Sequence, residues 1–150
     1  MEWVDRWTVS LYNQITYRVI WNNEVWVLDI CYAKDKTKNQ CESVKEAKKL
    51  FGGDMGLATS LLSRINALKQ AETIKDIIVQ PAFRFHNLEN KYGRNLKGFF
   101  AIDVKSKREP WRIILQPWNE AEEYYDPCNI DEISGMVRIV EIAEVSKHYE

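Results

Sequence analysis

The period of the apolar residues changes along this chain, and the order of those changes limits the folds open to it. Between residues 43 and 71 apolar side chains recur at helical spacing, with Leu57, Leu61, Ile65 and Leu68 on one stripe. Before and after that segment they alternate, or run in short blocks bounded by Gly, Pro and Asn, which is the pattern of strands. Residues 41–51 read as a first helix, with Ser43 as N-cap and Glu46 three residues on, a capping box. Gly52-Gly53 fit its C-terminus, and Asp54 caps a second helix running to about Ala71. So short a link makes the two helices an antiparallel pair.

The strand-like segments surround this pair. Val9, Leu11, Ile15, Tyr17, Val19 and Trp21 alternate, and Asn22-Asn23 reads as a hairpin turn into a strand over 24–32. Residues 34–39 are polar and read as a loop, and 73–79 as a connector or short helix closed by Pro81. Short strands follow over 83–88, 99–104 and 111–115, the last stopped by Pro117. An acidic loop spans 119–132, a final strand 136–143, and a polar tail 144–150. The order strand, helix, helix, strands predicts an α+β domain: two antiparallel helices packed on a mainly antiparallel sheet, with an added N-terminal β-hairpin.

The 150 residues suit one domain, and 45% hydrophobic with 29% charged residues is the balance of a globular chain. No apolar run approaches the ~20 residues that cross a bilayer. The start, Met1-Glu2-Trp3-Val4-Asp5-Arg6, lacks a basic stretch followed by an apolar one, so no secretion signal is expected. Cys31, Cys41 and Cys128 form no metal spacing and no disulfide framework, which points to a reducing cytoplasm.

A net charge of −1 conceals an asymmetry. Residues 84–112 hold eight basic residues against three acids, Glu89, Asp103 and Glu109. Residues 119–132 hold six acids and no Lys or Arg. A locally basic segment can face phosphates in a protein neutral as a whole; a solvated hairpin with scattered lysines is the plainer account. The chain has no GxxxxGK[ST], GxGxxG, HExxH or GxSxG. His86 and His148 are its only histidines, so acid–base work at neutral pH falls to them or to shifted Lys, Glu or Tyr.

Phe85-His86-Asn87-Leu88, a basic Gly-containing turn, Gly98-Phe99-Phe100-Ala101-Ile102, Trp111-Arg112-Ile113-Ile114 and Val137-Arg138-Ile139-Val140-Glu141-Ile142 occur in that order. The succession resembles the plasmid-maintenance killer branch of the RelE/HigB toxins, within the RelE/ParE superfamily. The helix pair, with Ala47-Lys48-Lys49-Leu50-Phe51-Gly52, stands in the family's place. The resemblance covers about residues 24–146, leaving 1–23 as an extension that adds a strand, covers a sheet edge, or faces an antitoxin.

Such toxins cut mRNA on the ribosome without metal or cofactor and are neutralised by a small antitoxin protein. The RNA's own 2′-hydroxyl attacks the neighbouring phosphate, so the protein positions the strand, moves protons and stabilises charge. The resemblance implies that His86 is an acid–base group or phosphate contact, and that Arg112 contacts the scissile phosphate. It implies that Lys91, Arg94 and Lys97, with Arg84, grip the RNA backbone. Each has a plainer reading: a strand-end histidine bonded to a carbonyl, an Arg112–Glu141 ion pair, and solvated surface charges. The family's Lys after Leu is Glu89 here, and its C-terminal acid, Tyr and His fall on Glu144, Val145 and Ser146, so His148 and Tyr149 are candidates from a shifted tail. The alternative function is a non-nuclease on the same fold, a ParE-like gyrase inhibitor or a decayed antitoxin-binding protein. Glu120, Glu122, Glu123 and Asp126 are expected to lie away from the basic turn.

Overall fold

The computed structural model describes residues 27–88 and 96–149. The expected strand over 9–21, the Asn22-Asn23 turn, and Lys91 and Arg94 lie outside the described residues. Strand β1 (Asp29–Tyr32) leads directly into helix α1 (Asp35–Glu42), where hydropathy predicted a loop. The reason is a narrow contact stripe: only Thr37 and Cys41, four residues apart, are buried, and the rest of the helix is solvated.

Ser43 breaks the helical run and starts α2 (Val44–Leu50), its hydroxyl accepting the Glu46 N–H at 3.3 Å. Gly52 and Gly53 then reverse the chain at φ +64° and +96°, a region strained for side-chain-bearing residues. The Gly53 N–H donates to the Lys48 carbonyl at 2.8 Å, closing the helix end. Asp54 starts α3 (Met55–Gln70) by accepting the Leu57 N–H at 3.0 Å. Leu57, Leu61, Ile65 and Leu68 are buried along it, as their spacing predicts.

Helix α4 (Lys75–Ile78) and a 3-10 turn (Pro81–Phe83) carry the chain to β2 (His86–Asn87). Strands β3 (Phe100–Asp103) and β4 (Arg112–Trp118), helix α5 (Ile130–Ile133) and strand β5 (Ile139–Ser146) complete an α+β fold. The open sheet has the order β1-β5-β4-β3-β2. It is mixed: β1 runs parallel to β5, and the other neighbours are antiparallel.

Two expectations change. Pro117 does not stop β4, which runs on to Trp118. β3 pairs β4 only as far as Leu115, while β5 pairs it through Trp118, so Pro117 lies where β4 is locally an edge and no donor is needed on that side. The last strand also reaches Ser146, and beyond it Tyr149 is buried, so this tail is not frayed.

The sheet faces differ. One carries Ile102, Ile113, Leu115, Val140, Ile142 and Val145 into the main core against α3 and its neighbours. On the other, Ala101 and Ile114 join Leu88, Leu96 and Tyr149 in a small cluster that holds no helix residue among the described residues. Among the described residues no helix is long and apolar enough to cross a membrane, and the three cysteines are free thiols.

Candidate functional site

Directly opposed residues of paired strands point to the same face. His86 lies opposite Ala101, Ala101 opposite Ile114, and Ile114 opposite Glu144. His86 therefore stands on the face of the small cluster, with Tyr149, which packs there at 7% exposure. The His86 ring is half-buried, and its Nδ1 lies 2.7 Å from the Arg84 carbonyl oxygen. A carbonyl only accepts, so Nδ1 carries the hydrogen, and Nε2 is the basic atom of the neutral ring. His148 is exposed, with its backbone N–H on Ser146 Oγ at 3.1 Å.

One end of this face is built around Asp103. Asp103 and Arg112 are opposed across β3 and β4, and both side chains are 2% exposed. Arg112 Nε lies 3.2 Å from Asp103 Oδ1, an ion-pair contact rather than an aligned hydrogen bond. Its Nη1 donates to the carbonyls of Glu109, Trp111 (2.9 Å) and Ser106 (3.5 Å), and its Nη2 to Lys107 (3.2 Å). The guanidinium thus fills the turn between β3 and β4. The expected Arg112–Glu141 pair does not form, because Glu141 sits opposite Gln116 and Arg112 opposite Ser146. A phosphate could reach Arg112 only by displacing those carbonyls.

Arg84 joins from the end of the 3-10 turn, at φ +48°, its Nε 3.0 and 3.2 Å from the two Asp103 oxygens. More than a third of its side chain stays exposed. Arg64 of α3 closes the group: Nε donates to the Asp103 carbonyl at 3.1 Å, Nη2 to the Ala82 and Lys105 carbonyls at 3.2 Å, and the guanidinium sits 4.5 Å above the Phe83 ring. Three guanidiniums thus surround one aspartate, and Lys105, Lys107 and Arg108 are exposed on the adjoining turn. Sequence reasoning missed Arg64 and Asp103. The signal for Asp103 is its place as the one acid in an apolar strand, directly across from Arg112.

At the other end the face is acidic. Asp29, Cys31 and Glu141 share it near Glu122, and burial pushes both carboxyls above their ordinary range. Burial, then Glu141, Asp29 and Glu122, push the Cys31 thiol up to about 12, so it is not a thiolate nucleophile at neutral pH.

The acidic loop corrects an expectation. The Asn119 side chain accepts the Ala121 and Glu123 N–H groups at 2.8 and 3.1 Å, and Tyr124 bridges back to Trp118. The loop comes to lie against Lys97 and Gly98, just before β3, and against Gln116 of β4. Asp126 consequently lines a cavity of about 330 Å³ together with Lys97, instead of lying away from the basic turn. No family model, curated protein or solved structure matches this chain.

Proposed function

We propose that the chain is the toxin of a toxin–antitoxin pair and cuts mRNA on the ribosome, with the RNA's 2′-hydroxyl as nucleophile. The observation that carries this reading is the setting of His86: an anchored imidazole on the sheet face that also carries Tyr149, with a basic end. Sequence resemblance to RelE/HigB toxins supplies the reaction class. As O2′ forms its bond to phosphorus, the hydroxyl proton passes to His86 Nε2. The P–O5′ bond breaks, and the 5′ oxygen takes a proton from the imidazolium or from the Tyr149 hydroxyl. The products are a 2′,3′-cyclic phosphate and a 5′-hydroxyl, with no co-reactant. Arg84 and Lys97, with Lys91 and Arg94, supply charge to the backbone. Arg112 acts as a positioning residue through the turn it fills, and His148 is the alternative proton carrier on the tail.

A second reading, a ParE-like or decayed non-nuclease that binds its antitoxin, is favoured by one observation: Arg112 is committed to Asp103 and the turn carbonyls. Binding of a short single-stranded RNA across a salt series tests the polyanion part. The affinity falls with salt, and Lys97→Ala lowers the log–log slope by about 0.7, the share of one phosphate on a single strand. Salt-independent binding contradicts the reading. Growth arrest with intact mRNA and DNA damage favours the gyrase inhibitor, and no arrest favours the decayed form.

A further inference from the structure

The cavity of about 330 Å³ is walled by Gln116, Tyr124, Tyr125 and Cys128, with Lys97 and Asp126 also lining it. Its size is at the small end of ligand sites, which run about 300–1,000 Å³. Gln116 is 7% exposed and lines this cavity. Gly98, at φ +82°, forms the close wall: a Cβ there would lie 3.9 Å from Gln116 Nε2 and 3.8 Å from Cys128 Cβ, so a longer side chain would fill the space. Tyr124 is 56% exposed, and its ring is braced edge-on by Trp118 at 5.7 Å.

We infer that this cavity seats one unstacked base of a single-stranded RNA and that Gln116 reads the edge of that base, an inference that rests on the RNA-cutting reading. Single-stranded RNA is recognised by bases splayed onto aromatic rings and hydrogen-bonded along their edges. Tyr124 and Tyr125 supply the rings, and the Gln116 amide supplies a donor beside an acceptor. The opposite charges of Lys97 and Asp126 cancel at the cavity wall, which favours an uncharged base over a phosphate as the part that enters. Burial holds the Tyr125 phenol and Cys128 thiol in their neutral forms, consistent with such a wall. Gln116 lies two residues along β4 from Ile114 on the same face, and His86 stands two strands across, roughly 12 Å away by strand spacing. The base read would belong to a nucleotide close to the one cut.

The full chain is titrated with each of the four nucleoside 5′-monophosphates, and with ribose 5-phosphate, while the Gln116 side-chain amide is followed by NMR. The four nucleotides bind with unequal affinities, and ribose 5-phosphate leaves the amide signal unmoved. Gln116→Leu, close in size, collapses the differences among the four to about twofold. Tyr124→Ala, at a largely exposed ring, weakens all four about tenfold, the usual worth of one stacked base. Equal binding of the four to the wild type, or unequal binding unchanged in both variants, overturns the inference. RNA cutting whose base preference survives Gln116→Leu also overturns it and leaves the nuclease reading standing. Nucleotide discrimination lost in Gln116→Leu, without any RNA cutting, keeps the base pocket and removes the nuclease.

Discussion

Asp103 carries one negative charge against the guanidiniums of Arg84 and Arg112 and fixes both from a fully buried position. Removing one partner of such a group leaves charges uncompensated in a low-dielectric setting. Asp103→Ala is expected to destabilise the fold by about 3–5 kcal/mol in thermal or urea melts, whereas Arg84→Ala, partly solvated, costs visibly less. Equal losses would deny Asp103 its central place. Glu141 works in the opposite sense. Burial raises its pKa in the fold above the unfolded value, so its protonated form is favoured by folding. Its contribution is therefore present at acidic pH and lost as pH rises through the raised pKa. Glu141→Gln raises the melting temperature at neutral pH, and the gain shrinks as the pH falls through the carboxylate range. A gain that grows on acidification would contradict this. Of these residues the sequence offered Arg112 and Arg84 as phosphate contacts. The structure turns Arg112 inward, because its cross-strand partner is an acid, and register cannot be read from composition.

Among the helices and strands, legibility followed side-chain mechanism. Ser43 and Asp54 were readable as caps, since a short acceptor three residues before a free N–H is a local property. Asp54→Ala is expected to cost about 1 kcal/mol in the same melts, with Asp54→Asn nearly neutral. A large loss in Asp54→Asn would mean that the carboxylate charge, rather than the cap bond, holds α3. Helix α1 was illegible because its buried stripe is Thr37 and Cys41, too small and too polar to register as a hydrophobic period. The extent of β4 was misjudged for a tertiary reason: Pro117 is harmless only because β3 ends before it. The tail was misjudged likewise, since Tyr149 is buried by Leu88, Ala101 and Ile114 from three other segments.

Across the described residues, the helices pack on one face of the mixed sheet, and the other face carries a small apolar cluster with charged groups at each end. The basic end and the acidic end lie on opposite sides of the His86–Tyr149 row, an arrangement the charge asymmetry of the sequence foreshadowed in part. What the sequence did not foreshadow is that the acidic loop folds back to share a cavity with Lys97. A polyanion crossing this face would enter past Arg84 and the turn of Lys105, Lys107 and Arg108, and only an uncharged part of it would settle beside Asp126. The proposed toxin activity stands or falls with His86 moving the proton of the RNA's own 2′-hydroxyl on this face. The decisive experiment sequences the ends of an mRNA translated in an extract containing wild type or His86→Ala. Cuts within the translated region, bearing 2′,3′-cyclic phosphate and 5′-hydroxyl ends, are expected with the wild type and fall about 10²–10⁴-fold in His86→Ala. Intact mRNA, or cuts bearing 5′-phosphates, would contradict the proposal.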